Sequence, residues 1–210
     1  MRRSITKAVL VTFLAGAVPV ITSTAAAQTA ATPADAAAAG QFIASLSDRV
    51  FAVLKETGSK PVLKLKFRSL LKENFAVDQA GARLIRRYRS QITPAQLAAY
   101  QAVLPDYVVN IYADRLINYS NAEVKIIRSQ PHGSNGNVDV FSRIEVPGKQ
   151  PFDIIWAVEK GTGGKWLIAN VTVSGVNMSL TQEADFSAYI AKNGFDALVT
   201  MMKASNTRTA

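Results

Sequence analysis

The spacing of the apolar residues changes once along the chain, near Ser120, and this change constrains the fold more than any other feature. Before this point apolar residues such as Phe42 and Leu46 recur at about 3.6-residue spacing, which is typical of amphipathic helices. After it they alternate, as at Val138 and Val140, which is typical of half-buried strands. Helices followed by a strand meander predict an α+β fold with helices packed on one face of a curved antiparallel sheet.

Helix signals fill the first 120 residues and return at the end of the chain. Thr93, Pro94 and Gln96 form a capping-box pattern, so a long helix is expected from there to about Tyr119. Pro105 lies inside it and predicts a kink. Further helices are predicted over 36–57, over 63–75, from an N-cap at Asp78 to about Ser90, over 182–193 and over 195–203.

The second half of the chain predicts a four-stranded sheet. Its strands contain Val124 and Ile126, residues 138–144, residues 154–158, and Val171 with Val173. Turn-forming segments at 131–136, 147–149 and 161–164 separate them. A half-open sheet of this kind, closed by helices, commonly encloses an apolar pocket.

The first 27 residues have the composition of a cleavable export signal. A basic start with Arg2, Arg3 and Lys7 precedes an apolar run over 8–21, and small residues lead to a predicted cleavage after Ala27. The apolar run is shorter than the ~20 residues of a membrane span. We therefore expect an exported protein with a flexible leader over 28–38, a single domain over 39–203 and a tail over 204–210.

Residue types that carry most catalytic chemistry are scarce. The chain has no cysteine, which excludes disulfides. Its one histidine, His132, lies in a predicted turn, which disfavours ordinary zinc or copper sites and a Ser-His-Asp triad. The carboxylates of the predicted strands alternate with apolar residues and should face solvent; they are Asp139, Glu145, Asp153 and Glu159. We predict no catalytic residues, no metal site and no cofactor.

Basic residues concentrate over 60–72 and 83–89. Such stretches are commonly solvated helix faces. An export signal and the lack of interleaved aromatic residues argue against nucleic acid. A basic surface of this kind favours anionic lipid head groups or an acidic protein face.

Helix phase and strand alternation direct one apolar set toward a common interior. Its members are Phe67, Leu71, Phe75, Leu84, Tyr88, Leu104, Tyr107, Val108, Ile111, Val140, Ile154, Trp156, Val171 and Val173. Two interpretations remain open. The set packs as a closed core, or part of it lines a ligand cavity, in which case these are the candidate binding residues.

Several segments together resemble the MlaC family of periplasmic phospholipid carriers, also called toluene-tolerance auxiliary proteins. They are 67–75 (FRSLLKENF), 92–96 (ITPAQ), 106–109 (DYVV) and 175–182 (GVNMSLTQ), followed by Phe186. Their order and spacing carry the resemblance, which covers about residues 36–203.

The resemblance implies an NTF2-like fold whose apolar cavity holds the acyl chains of a glycerophospholipid, so that the apolar set would be lipid-binding. It also implies a periplasmic location, an inner-membrane ABC transporter with an MCE-domain ring and an outer-membrane lipoprotein-porin complex as partners, and a role in outer-membrane lipid asymmetry. An NTF2-like enzyme for a small apolar substrate and a ligand-free envelope adaptor are the alternatives. The enzyme would need an inward-facing carboxylate or histidine with a shifted pKa.

Overall fold

A computed structural model of the protein describes residues 30–56 and 58–208, without the side chains of residues 113–115, 117 and 208. Its helices are α1 (Pro33–Lys55), α2 (Lys60–Asn74), α3 (Val77–Leu84), α4 (Pro94–Ile117), α5 (Met178–Asn193) and α6 (Phe195–Arg208), with short 3-10 helices at Arg86–Tyr88 and Thr162–Gly164. Its strands are β1 (Glu123–His132), β2 (Asn137–Glu145), β3 (Phe152–Lys160), β4 (Trp166–Val173) and β5 (Val176–Asn177). The predicted export signal over 1–27 lies outside the described residues.

The described strands form one antiparallel sheet in the order β1 to β5, each pairing with its neighbour in sequence. The predicted α+β class and the helix-covered meander are confirmed. The predicted number of strands is one too few, because β5 has only two residues and so shows no alternation.

One face of the sheet, which we call the inner face, is apolar and turned toward the helices. The cross-strand neighbours Val140 and Trp156 lie on it. The opposite, outer face carries charged pairs such as Arg143 and Asp153, whose Nε and Oδ1 atoms are 2.9 Å apart. Alternation along the strands therefore assigned the two faces correctly.

The capping box predicted at the start of α4 is confirmed. The Thr93 N–H donates to Gln96 Oε1 at 2.9 Å, and the Gln96 N–H donates to Thr93 Oγ1 at 3.2 Å. A second capping box, between Thr32 and Asp35, starts α1 at Pro33. Residues 33–38, assigned from the sequence to the leader, therefore belong to α1.

The N-cap predicted for α3 is wrong. Asp78 lies in the first turn of this helix, and Ala76 is its N-cap. The reason is tertiary: the Ala76 N–H donates to the Ile168 carbonyl of β4 at 2.9 Å, so the sheet fixes where the chain enters α3.

The two C-terminal helices are longer than predicted. Asn177 caps α5, because the Leu180 N–H donates to its Oδ1 at 3.0 Å, and α5 therefore begins at Met178. Gly194 separates α5 from α6 as predicted, in the left-handed region with a φ of 85°. Residues 204–208, assigned to the tail, continue α6.

The buried apolar residues form two separate clusters where the sequence predicts one interior. The first cluster joins the inner face to α1 and α2 and includes Ile43 and Val140. The second lies among α3, α4, α5 and α6, where the ring of Tyr100 contacts those of Phe186 and Phe195 at centroid distances of 6.3 and 5.9 Å.

Helix α1 is long and apolar enough to cross a membrane by length and composition alone. Its buried residues, among them Ala39, Ile43 and Leu46, pack in the first cluster. This packing accounts for its apolar composition as that of a core helix.

Gly81 in α3 is a position where close helix packing leaves no room for a side chain. A Cβ there would lie 2.5 Å from Leu104 Cδ2, and the Tyr100 hydroxyl donates to the Gly81 carbonyl at 3.1 Å.

We predict that Gly81→Leu overpacks the second cluster and lowers the free energy of unfolding by ~1–3 kcal/mol, measured by denaturant titration. Ala82→Leu, on the exposed side of the same turn, should change it by less than ~0.5 kcal/mol. Equal stability of the two variants would contradict this account of α3 packing.

Candidate functional site

The helices cover the inner face unevenly. Val138 and Val140 of β2 are fully buried, at 0% exposure. Ile154, Trp156 and Val173, on the same face of β3 and β4, are only half-buried. Helix α1 packs on β1 and β2. At the other end of β3 and β4, Val158 and Ile168 are fully buried on the same face. The less covered part of the inner face is therefore the end of these strands around Ile154 and Val173.

Helix α4 is tied to the rest of the protein mainly through other helices. Its main packing partners are α6 and α2, and Arg68 Nε of α2 lies 2.9 Å from Asp106 Oδ1 of α4. Val109 of α4 is buried in the first cluster. Just beyond the helix, the ring of Tyr119 meets that of Phe152, at the start of β3, edge-on at 5.8 Å. The end of α4 is thus anchored to the sheet beside β3.

Several half-buried side chains belong to neither cluster in the described part of the chain. Among them are Ile111 and Tyr112 of α4, Ile154 of β3 and Val173 of β4. Ile154 and Val173 are direct cross-strand partners on the inner face. A partly exposed apolar side chain stabilises a protein further only when contact with another apolar group removes its surface from water. We call the part of the inner face around Ile154 and Val173, together with Ile111 and Tyr112 on α4, the inner chamber.

The predicted binding residues divide into three groups. Phe67 and Val140 are buried in the first cluster, and Leu84 and Leu104 in the second. Leu71, Phe75, Trp156 and Val171 are partly buried against the first, and Tyr88, Tyr107 and Val108 against the second. Ile111, Ile154 and Val173 lie in neither. The sequence pattern gave the inward direction but did not separate core-filling residues from those bordering the inner chamber.

Trp156 is held in one orientation by polar contacts. Its indole N–H donates to Ser142 Oγ at 2.9 Å, and the Ser142 hydroxyl donates to the Ile154 carbonyl at 3.3 Å. Ser142 is itself buried. The polar edge of the indole is therefore satisfied, and its apolar ring stays half-buried on the inner face.

A groove of about 570 Å³ runs between α1 and the edge strand β1. Small residues of α1, among them Ala37 and Gly40, form one wall, and Arg128 and Ser129 form part of the other. A Cβ at Gly40 would lie 2.7 Å from Ser129 Oγ, so this glycine allows the close approach of helix and strand. None of the predicted binding residues lines this groove.

A second cavity, of about 340 Å³, lies between α4, α5 and α6, and we call it the three-helix pocket. Tyr107 and Ile111, both predicted, line its α4 side. Asp185 and Tyr189 of α5 line it as well, and the sequence analysis missed them. A signal existed: Gln182, Asp185 and Tyr189 share one helix face by their spacing of three and four residues.

The three-helix pocket raises the pKa of the Tyr107 phenol. Burial raises the pKa of Tyr107, and the neighbouring Tyr112 phenol and Asp185 carboxylate raise it further. Burial also raises the pKa of Tyr100 in the adjoining second cluster. Phenols with raised pKa values stay uncharged at neutral pH.

The strand carboxylates lie on the outer face. Asp153 pairs there with Arg143, whose hydrogen bond lowers the pKa of that carboxyl, and Asp139 Oδ2 lies 2.8 Å from His132 Nδ1. Among the residues that the structure describes, no three His, Cys, Asp or Glu side chains gather in a way that could hold a metal ion. The inner chamber is therefore bordered by apolar and aromatic side chains.

Known proteins share this architecture. The family model described as MlaC protein matches residues 44–204. The intermembrane phospholipid transport system binding protein MlaC of Haemophilus influenzae is 23% identical over 166 residues, which cover 76% of this chain and 78% of the relative. The solved structure of a phospholipid-binding protein from Ralstonia solanacearum, in complex with a phospholipid, aligns with a TM-score of 0.69 and 23% identity over 81% of this chain and 98% of that chain. Since the family match spans most of the sequence, the chain is a member of the MlaC family.

Proposed function

We propose that this protein is a periplasmic carrier that moves phospholipid between the inner and outer membranes. The observation that carries the proposal is the less covered end of the inner face, where Ile154 and Val173 are half-buried and belong to neither core cluster. Family membership supports it, because the Haemophilus influenzae relative is named for intermembrane phospholipid transport and the Ralstonia solanacearum structure contains a phospholipid. In this proposal the acyl chains lie in the inner chamber and the head group stays near solvent.

The need for a carrier follows from the cost of exposing acyl chains to water. About 30 methylenes of a diacyl lipid, at ~0.8 kcal/mol each, cost ~24 kcal/mol. Free diffusion of the lipid across an aqueous compartment is therefore negligible. Apolar side chains such as Ile111 and Ile154 take the place of water around the chains, and few polar contacts are needed, since a carrier must also release its cargo.

The chemistry around the inner chamber supports a carrier over an NTF2-like enzyme. An isomerase or hydratase needs an acid or base aimed at its substrate. Ser142, the buried polar residue of the inner face, is already engaged with Trp156, and the strand carboxylates lie on the outer face. A ligand-free adaptor would need a closed core, and the half-buried pair Ile154 and Val173 argues against one.

The exchange partners belong to the same proposal. Family membership supports an inner-membrane ABC transporter with an MCE-domain ring as one partner and an outer-membrane lipoprotein-porin complex as the other. Shuttling between them maintains the lipid asymmetry of the outer membrane. The bound phospholipid is cargo in this scheme, and the reaction requires no cofactor.

Export is the first expected outcome. Protein recovered from the cell envelope should begin at or within a few residues of Gln28, because the small residues Ala25, Ala26 and Ala27 form the predicted cleavage site. N-terminal sequencing of the envelope protein measures this directly. Envelope protein that still begins at Met1 would overturn the proposed cleavage.

Filling the inner chamber should displace lipid while leaving the fold intact. Ile154→Trp adds volume where ligand, and not a packed neighbour, occupies the space, so lipid per protein should fall severalfold. The thermal unfolding of the lipid-free form should stay cooperative, within ~1 kcal/mol of the parent. Lipid extraction and thermal melts on the same purified samples measure both quantities.

Two matched variants complete the test. Ile155→Trp places the same side chain at the next residue, on the outer face, and should keep the full lipid content. Val140→Trp enlarges a fully buried residue of the first cluster and should cost ~1–3 kcal/mol through overpacking. A full lipid load in Ile154→Trp would show that the acyl chains lie elsewhere.

A further inference from the structure

The composition of the three-helix pocket sets it apart from the rest of this basic protein. Its walls carry Tyr107, Tyr112 and Tyr189 together with one carboxylate, Asp185. No lysine or arginine is among its described lining residues, although the sequence holds 24 basic and 15 acidic residues. The described lining residues thus carry one formal charge, which is negative, and this charge favours a cationic group over an anionic one.

The pocket offers a carboxylate that can act as counter-charge. Asp185 is exposed and takes part in none of the ion pairs formed by the described side chains. The raised pKa of Tyr107, caused by burial and then by Tyr112 and Asp185, is consistent with a site that resists further negative charge.

The other walls suit an alkylammonium group. Aromatic ring faces attract such cations within ~6 Å of the ring centroid. A primary ammonium also has three N–H donors. The acceptors along α5 are the Asp185 carboxylate, the Gln182 side-chain carbonyl and the Thr181 hydroxyl oxygen. The Thr181 hydroxyl donates its own proton to the Asn177 carbonyl at 3.1 Å, so its oxygen can accept a hydrogen bond from a ligand.

The pocket is linked to the end of β4 by the chain itself, because its lining residue Met178 directly follows β5, which pairs with β4 at Thr172 and Val173. Successive residues of α4 are rotated by about 100° around the helix axis. Val108 and Tyr112 therefore lie on the side of α4 between Ile111, which lines the pocket, and Val109, which packs in the first cluster with α2. Tyr112 therefore belongs both to the pocket and to the side of α4 next to the chamber. A lipid with its head group in the pocket can extend its acyl chains toward Ile154.

We propose that the three-helix pocket binds the alkylammonium head group of a zwitterionic phospholipid, with Asp185 as the counter-charge and the tyrosine rings as walls. This inference rests on the proposed carrier function and adds to it a preference for one class of cargo. Lipids with purely anionic head groups are held by their acyl chains alone.

Lipid selection from a mixture tests the proposal. Delipidated protein is loaded from vesicles of equimolar phosphatidylethanolamine and phosphatidylglycerol with the same acyl chains, and the bound lipids are identified and counted by mass spectrometry. We expect phosphatidylethanolamine to be enriched about two- to fivefold over the vesicle composition, the factor that a partly exposed cation–π contact supplies. Asp185→Asn and Tyr189→Leu should each lower the enrichment toward one while total lipid per protein is unchanged. Asp48→Asn, on the exposed face of α1, should keep it.

Each outcome decides between the claims. Lipid uptake without enrichment in the parent protein, or full enrichment in Asp185→Asn, overturns the head-group site and leaves the carrier proposal standing. A protein that takes up no lipid overturns both.

Soluble glycerophosphoethanolamine, offered without vesicles, should not bind measurably by calorimetry, because the acyl chains supply most of the affinity. Asp185-dependent binding of the soluble compound as strong as that of the lipid would overturn the assignment to a lipid head group.

Discussion

The packing of α1 on the β1–β2 half of the inner face is the constraint on which the rest of the structure depends. Ile43 of α1 and Val140 of β2 are both fully buried in the first cluster. Burial of side chains of this size contributes about 1.5–3 kcal/mol each, so α1 is held firmly against β2. The capping box at Thr32 and the contact of Lys160 with Asp35 fix the start of the helix over the sheet.

The second cluster helps to explain why the end of the inner face around Ile154 and Val173 is only partly covered. Tyr100, Phe186 and Phe195 give α3, α4, α5 and α6 a core of their own. Of these helices, α3 and α5 contact β4, while α4 and α6 bury their apolar residues mainly against other helices. Two self-sufficient cores leave half-buried apolar residues, Ile154 and Val173 among them, that neither core contains, and the three-helix pocket lies beside the second core. A carrier requires this combination, because its cargo must enter and leave without unfolding the protein.

Much of this architecture could be predicted from the sequence, because its signals are local. Strand alternation assigned the inner and outer faces, and the Thr93–Gln96 box placed the start of α4. The division into two cores could not be predicted, since helix phase at Leu104 and strand phase at Val140 show only that each side chain points inward. The N-cap of α3 at Ala76 and the pocket residue Asp185 were missed for a similar reason. Both depend on contacts between segments far apart in the sequence.

The central claim, that acyl chains lie against the β3–β4 half of the inner face, can be tested through the two tryptophans of the chain. Trp166→Phe leaves Trp156, on that surface, as the single tryptophan, whose emission is excited selectively at long wavelength. Trp156→Phe leaves Trp166, which lies beneath the Lys160 ammonium at the far end of β4. Each variant is loaded with a phospholipid brominated along its acyl chains and with its unbrominated form. The account predicts strong quenching of Trp156 by the brominated lipid and little quenching of Trp166. Unchanged Trp156 emission in protein that has taken up the brominated lipid would contradict it.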